Sequence, residues 1–552
     1  MKTASNSIRF LIFPILLFFV FSYAANAQLS QGGVPRSFSH SMVPDSKHAV
    51  VIEAPDLLTL QQEDERMPLP YRFAVNIPVD IDPAHDGAWD QTPDGLPMWR
   101  LTIIAREALA LSLYFDRFTL PEGGRLFVYN PGRTRLLGAF AGDDRSASHG
   151  FATGLIPGEE ITIEYNSDGT DAMPDFHISE VAWAYRGVGA ENEDGFGGSG
   201  NCEVNINCPE GLLMQTEKRG VARIQVKRGT GTFWCSGSLV NNTRFDKIPY
   251  LLTADHCGRN TTAVDLEQWI FYFNYESATC ADPSFEPVAH AMTGASLVSH
   301  GGDAGNSGSD FFLVRLNENI PDSFHVCFNG WSRENEASPH GTGIHHPQGD
   351  IQKISTYTEP LVSSSWNGHV PGSHWRVVWD GTPNGHGVTE GGSSGSPIFD
   401  ELGRIVGTLT GGDSSCDTVN LDAPDYYGKF SYHWDQNGSD SSSVLSVWLD
   451  PDNSGVMTVD PLYVSVGETQ QTNWFTAYPN PAEDVLLVEI SGESPATITL
   501  IDGQGRTCHE SFRKVAQGET WRIGMAGFSP GIYFLKVNGA TRQSVTKIIK
   551  QK

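Results

Sequence analysis

A chain of 552 residues is too long for one core, so two to four domains are expected, and 39% apolar residues are ample for globular folding, which excludes disorder as the default state. A net charge of −28 argues against a nucleic-acid partner, which needs a basic face; it fits solubility outside the cell first, and attraction of basic substrates second.

Residues 1–27 carry Lys2 and Arg9, an apolar run from Phe10 to Tyr23, and Ala25-Asn26-Ala27, a small-x-small cleavage site before Gln28. This predicts a signal peptide and an exported chain. The run is too short for a stable anchor, and no later stretch reaches the roughly 20 apolar residues of a spanning helix. Residues 28–75 are mixed. From Tyr71 to Tyr185 the runs LTIIA, LALSLYF, GRLFVYN, GAFAG and EEITIEY, separated by Gly, Pro, Asp and Asn, predict a small cysteine-free β-sandwich. Residues 187–200, GVGAENEDGFGGSG, are glycine-rich and acidic, and predict an exposed linker where a precursor would be cut.

All eight cysteines lie at or after Cys202, which in an exported chain predicts disulfides confined to one domain. From Cys202 to about Asp452, VARIQV, WCSGSLV, WIFYFNY, FFLVRL, WRVVWD and RIVGTLT read as strands, with one short helix ending in SVLSVWLD. Two packed antiparallel barrels fit that size. From about Trp474, DVLLVEI, ATITLID, GIYFLKV and SVTKIIK joined by tight turns predict a second β-sandwich.

Three motifs within residues 202–452 carry chemistry. Gly391–Pro397, GGSSGSP, is a turn that exposes Ser394 and sets the N–H groups of Gly392 and Ser394 side by side, as an oxyanion needs. LLTADHCG ends an apolar strand at His256, and SDFFLVRL heads another with Asp310. The order His, Asp, Ser suits a serine nucleophile whose proton His256 takes, with Asp310 fixing the ring tautomer. Asp255, Asp265 and Asp303 compete for the third role; Asp255 is adjacent to the histidine and points elsewhere, Asp303 sits in a Gly-rich loop, and only Asp310 precedes a buried strand. His345-His346-Pro347 lacks the spacing of a zinc site and reads as structural. VDIDPAHDGAWD and DPDNSG lack the EF-hand pattern, so no metal and no cofactor are expected.

Taken together, GNCEVNINCPEG, CSGSLVNNT, LLTADHCG, SDFFLVRL, IHHP, GVTEGGSSGSP, SSC and WLDP resemble, in this order, the lysyl endopeptidase family of bacterial chymotrypsin-fold serine proteases. The resemblance implies an all-β, chymotrypsin-like double β-barrel at 197–460, between a β-rich propeptide at 28–196 and a C-terminal β-sandwich at 474–552. It implies disulfides Cys202–Cys416, Cys208–Cys280 and Cys235–Cys257, leaving Cys327 and Cys508 unpaired and buried. It also implies that Asp425, in PDYYGKF, is the unpaired carboxylate that selects a basic side chain, with Trp366 beside the pocket. Where the family carries a histidine stacked near that tryptophan, this chain has Thr410, which is expected to loosen the pocket wall and the discrimination of Lys from Arg. No lysine occurs between Lys47 and Lys218, whereas Arg186 immediately precedes the linker. A strictly Lys-specific enzyme could not free itself there, so either it accepts Arg, another protease cuts it, or the start near Gly197 is trimmed. Residue 393 is Ser where trypsin-like zymogens hold an Asp that pairs with the new amino terminus, so no such ion pair can form and the oxyanion hole is expected to be preformed. Residues 28–196 are then expected to act as a propeptide that covers the cleft or assists folding, a retained adhesive module being the alternative.

YPNP at 478–481, GIYFLKV and the basic tail resemble the C-terminal sorting domain of the type IX secretion system, which implies that machinery as a partner and a secreted or cell-surface location. Substrates are then proteins or peptides with basic residues. The rival reading is a surface adhesin or peptide-binding protein on an inactive protease fold.

Overall fold

A computed structural model describes residues 32–39, 49–67, 69–141, 150–169, 172–188, 196–417, 419–464, 475–490, 496–502, 507–513, 520–538 and 543–551. The expected signal peptide, and residues 189–195 of the expected linker 187–200, lie outside them.

The fold is mostly β, with two antiparallel sheets at its centre. In the first barrel, strands Val221–Arg228 and Gly231–Leu239 form a hairpin whose edges are extended by Ile270–Phe273 and Tyr250–Thr253, then by Phe311–Leu316 and Ala295–Gly301. Alternation puts Ala222, Ile224 and Val226 inward, where they meet Leu251, Phe271, Phe273 and Val314 in one core. The second antiparallel sheet runs from Val204–Asn205 through Lys353–Tyr357, Gly341–His345, Pro397–Phe399, Ile405–Gly412 and Asp425–Lys429 to His374–Val377 and Val362–Ser364. The nucleophile turn and the expected pocket strands belong to this sheet; the histidine and aspartate belong to the first.

The N-terminal region folds as two sheets around a core that includes Trp99, Leu113, Phe115, Ile163, Phe176 and Trp183. One of those sheets does not end at its own boundary. Strand Tyr71–Ile81, whose other edge pairs with Asp175–Ala184, pairs antiparallel with Gly231–Leu239, opposing Val75 to Gly231, Ala74 to Thr232, Arg72 to Phe233 and Tyr71 to Trp234. The first barrel and the N-terminal sandwich therefore share one continuous 12-stranded sheet. Phe73 stacks on Trp234 with centroids 4.1 Å apart, and the seam buries polar groups in matched pairs, Tyr114 to Thr232 at 2.8 Å and Lys227 to Glu180 at 2.7 Å.

The C-terminal region packs a three-stranded sheet on a four-stranded one around Leu486, Val488, Ile498, Leu500, Trp521 and Leu535. All three expected disulfides are formed, Cys202–Cys416, Cys208–Cys280 and Cys235–Cys257. Cys327 is buried; Cys508 is only half-buried, because it lies on the strand Thr507–Arg513 at the margin of the small C-terminal core rather than inside it.

Candidate active site

His256 sits in the single turn Asp255–Gly258 that follows strand Tyr250–Thr253, and the Cys235–Cys257 bridge ties this turn to the neighbouring strand. Asp310 stands at the head of strand Phe311–Leu316 with φ of +60°, a left-handed conformation that Asp tolerates better than most residues. That kink turns its carboxylate back on the histidine: Oδ2 lies 2.8 Å from Nδ1, and Oδ1 accepts the His256 backbone N–H at 3.0 Å. Asp310 is fully buried. Burial alone pushes its carboxyl upward, but the imidazole and its two hydrogen bonds outweigh this and hold it below the usual range. Of the competing acids, Asp255 bonds His300 at 2.8 Å and the Ala304 N–H at 3.0 Å, Asp265 caps a short helix and pairs with Lys227, and Asp303 pairs with Arg259.

Ser394 is brought against this turn from the second barrel. Its carbonyl accepts the Ser236 N–H at 2.8 Å and lies 3.7 Å from Cys257 Sγ. Nε2 of His256 is buried and makes no hydrogen bond, so the ring's outer nitrogen is held in place without yet being joined to the serine hydroxyl. Contacts of this kind often close only when substrate is present. Gly392 has φ of +97°, and a Cβ there would lie 2.9 Å from the Gln348 nitrogen, so the turn needs glycine on both counts. The Gln348 N–H donates to the Gly391 carbonyl at 2.5 Å. Because a trans peptide sets C=O and N–H on opposite sides, anchoring that carbonyl aims the Gly392 N–H the other way.

Neutral histidines support the turn from behind. His345 Nδ1 lies 2.8 Å from Ser393 Oγ, and burial drives His345 and His346 down to about 3. The Ser393 hydroxyl also accepts the Glu390 N–H at 3.2 Å.

Asp425 is fully buried in the strand beside Ile405–Gly412. The expectation of an unpaired carboxylate is corrected: Oδ2 accepts from Ser414 Oγ at 2.6 Å, Trp379 Nε1 at 2.7 Å and Thr389 Oγ1 at 2.8 Å, and Oδ1 from the Ser414 N–H at 3.3 Å. These donors are neutral, so the charge remains uncompensated, and burial still raises its pKa. A Cβ on Gly412 would fall 2.0 Å from Oδ1, so glycine there keeps space open over the acid. Trp366 packs edge-on to Tyr426 and against Gly411. Thr410 is buried, and its hydroxyl meets Nε2 of His374 at 3.1 Å; burial lowers His374 to about 4. An imidazole therefore borders position 410 from the strand His374–Val377, which lies beyond Asp425–Lys429 in the sheet, a contact that no local motif signals.

The N-terminal region reaches this surface. A Cβ on Gly411 would lie 3.2 Å from Leu69 Cδ1 and 3.1 Å from Trp366, and the Tyr71 ring rests on Gly391 with its hydroxyl 3.3 Å from Gln348 Oε1. Arg186 is anchored, its Nη2 3.0 Å from Asp64, its Nε donating to the Arg72 carbonyl and its guanidinium stacked 4.4 Å from the Tyr71 ring.

Residues 196–428 match the family model of the lysyl endopeptidase C-terminal domain, and residues 476–551 that of a secretion system C-terminal sorting domain. A lysyl endopeptidase of Pseudomonas aeruginosa is 27% identical over 360 residues, which span 62% of this chain and 75% of that one. Among solved structures, the protease Anisep from Arthrobacter nicotinovorans is 17% identical with a TM-score of 0.29, covering 38% of this chain and 90% of its own. The secreted serine protease VesC from Vibrio cholerae is 12% identical with a TM-score of 0.27, covering 60% of this chain and 69% of its own. No helix among the described residues is long and apolar enough to cross a membrane.

Proposed function

This chain is a secreted or surface-attached serine endopeptidase of the lysyl endopeptidase family, and from that premise we propose that it cleaves after basic residues, Lys preferred and Arg accepted, through His256, Asp310 and Ser394. The observation that carries the chemistry is the buried His256–Asp310 pair, with Nδ1 facing a carboxylate at 2.8 Å beside the Ser394 turn. Ser394 attacks the scissile carbonyl, Nε2 of His256 takes its proton and returns it to the leaving amine, and water then releases the acyl group by the same route. The imidazolium formed in between is stabilised by Asp310. The N–H groups of Gly392 and Ser394 receive the oxyanion.

Specificity for a cation rests on Asp425. A buried carboxylate with only neutral donors gains most from a substrate ammonium or guanidinium, since either charge left desolvated and unmatched costs several kcal/mol. Thr410 replaces a bulky wall with a small one, which leaves room for the longer guanidinium.

Residues 28–196 act as a propeptide that is both scaffold and cover. Support comes from the shared sheet and from Leu69 and Tyr71, which lie over Gly411, Trp366 and Gly391, where the non-primed side of a substrate would run. Labelling with a serine-directed fluorophosphonate that vanishes in Ser394→Ala tests the enzyme against the adhesin reading, and absence of labelling in processed protein supports the adhesin. Digestion of a proteome-derived peptide library reads the specificity directly. Cuts after Lys with none after Arg would refute the Arg half of the proposal. Leu69→Asp in the uncut chain is expected to raise labelling severalfold; an unchanged rate would refute the covering role.

A further inference from the structure

Residues 196–200, the end of the segment 187–200 expected to be an exposed linker, are instead seated on two carboxylates that flank the oxyanion turn. The Gly197 N–H donates to Asp350 Oδ1 at 2.8 Å, the Ser199 hydroxyl and N–H to Oδ2 at 2.5 and 3.4 Å, and the Gly200 N–H to Glu390 Oε2 at 3.0 Å. Asp350 is 2% exposed. Among the described residues the one ammonium within ion-pair range of it is Lys353, at 3.7 Å, and that group is already bonded to Asn205 at 2.8 Å. Glu203 is buried nearby, and its pKa and that of Glu390 are raised by burial, with neighbouring carboxylates adding to the effect. Among the described residues, three acids thus crowd this segment, with Lys353 3.7 Å from Asp350 and the Arg223 guanidinium donating to the neighbouring Gly349 carbonyl at 2.7 Å.

Asp350 also closes the loop that orients the oxyanion peptide. Its Oδ1 accepts the Ile351 N–H at 2.7 Å and its carbonyl accepts from His346 Nδ1 at 2.9 Å, which pins both ends of the run His346–Asp350. Inside that run Gln348 holds φ of +52°, a costly conformation for a residue with a side chain, and from there it donates to the Gly391 carbonyl. The chain of contacts runs from Gly197 through Asp350 and Gln348 to the Gly392 N–H.

We propose that Asp350 is a positioning residue for the oxyanion hole, and that its partner in the processed protein is the α-ammonium of Gly197. The inference rests on the serine-protease reading above. Hydrolysis of the Phe196–Gly197 bond by a processing protease consumes one water, leaves a carboxylate on Phe196 and frees an ammonium on Gly197. The amide already points at Oδ1, so the new charge forms in place and turns a hydrogen bond from a neutral N–H to the carboxylate into an ion pair in which donor and acceptor are both charged. Ser393 leaves the position used by trypsin-like zymogens without an acid; Asp350 supplies one from a different loop.

The test uses the full chain, with residues 193–196 replaced by the recognition sequence of a site-specific protease, so that cutting yields a chain beginning at Gly197. A second form carries one extra alanine before Gly197, and both are also made with Asp350→Asn. On a Lys-containing peptide ester the alanine-extended form is expected to lose at least tenfold in kcat with KM within twofold, and to make no further difference when Asp350 is Asn. Equal kcat for the two amino termini, or a loss that is undiminished in Asp350→Asn, would overturn the proposal. Should the Asp350→Asn chains fail to fold, the two termini on the native Asp350 decide alone. A chain beginning at Gly197 and freed of its severed N-terminal fragment that neither cleaves nor takes fluorophosphonate refutes the protease reading itself, and this inference with it.

Discussion

Replacing Asp310 by Asn changes the electronics of the site while sparing its backbone, because Asn tolerates the +60° φ at this position as Asp does. Both oxygens of Asp310 are acceptors, one for the His256 backbone N–H at 3.0 Å and one for Nδ1–H at 2.8 Å. An amide offers one acceptor and one donor. With the oxygen on the backbone N–H, the NH2 faces Nδ1, forces the proton onto Nε2 and removes the base. With the amide flipped, the correct tautomer returns, but two buried donors oppose each other, at about 1–3 kcal/mol. Losing the charged acceptor of the imidazolium removes about 1.5–3 kcal/mol more. Together these come to about 2.5–6 kcal/mol, a loss in kcat of roughly a hundred- to ten-thousand-fold at about 1.4 kcal/mol per decade. Steady-state hydrolysis of a Lys peptide ester, alongside a melting curve showing the variant folded, measures it. A folded Asp310→Asn enzyme within tenfold of the parent would refute the assignment of Asp310 and the tautomer argument together.

Asp425→Asn is expected to lower kcat/KM on Lys substrates by about 10²–10³-fold, the scale of breaking a desolvated charge pair. The pKa of Asp425 is raised by burial, so KM of the parent is expected to climb as pH falls through that elevated value, where the carboxylate takes up a proton and loses its attraction for a cation; kinetics of Asp425→Asn lack this acid limb. Removing the Cys235–Cys257 bridge, which spans 22 residues, is expected to cost about 3.4 kcal/mol by loop entropy, read as a lower denaturation midpoint of a Cys235→Ser, Cys257→Ser double variant. Gly428→Ala would place a Cβ 1.6 Å from the carbonyl oxygen of Ser309, so the backbone entering Asp310 must shift, and labelling of Ser394 is expected to fall to background even in protein that remains folded.

Residues whose chemistry depends on a local pattern were legible before folding: the Ser394 turn, the strand-end His256 and an acid heading a buried strand each carry a short signature. What the pattern could not carry was pairing across distance. Tyr71 opposes Trp234 across more than 160 intervening residues, and strand periodicity says which face is buried but not which edge will be met. The four donors around Asp425 come from Ser414, Trp379 and Thr389, ordinary residues whose convergence only the fold creates. Asp350 and Glu390 look in sequence like solvated loop acids. The clue available was composition: each lies within a few residues of a glycine turn beside a motif already singled out. Likewise Arg186 stood out as a cleavage point by its position before the linker, yet its guanidinium is clamped by Asp64 and Tyr71, which favours processing farther along the chain.

The seam between strands Tyr71–Ile81 and Gly231–Leu239 has a consequence for the life of the enzyme after maturation. Severing the linker breaks a covalent tie but none of the ladder, so the excised piece stays zipped to the barrel, and its departure would leave Phe233 and Trp234 on a naked sheet margin. Such margins invite stray strands. Under the covering role proposed above for residues 28–196, full activity would be reached once the detached fragment is itself digested, and the onset of proteolysis would then depend on enzyme concentration.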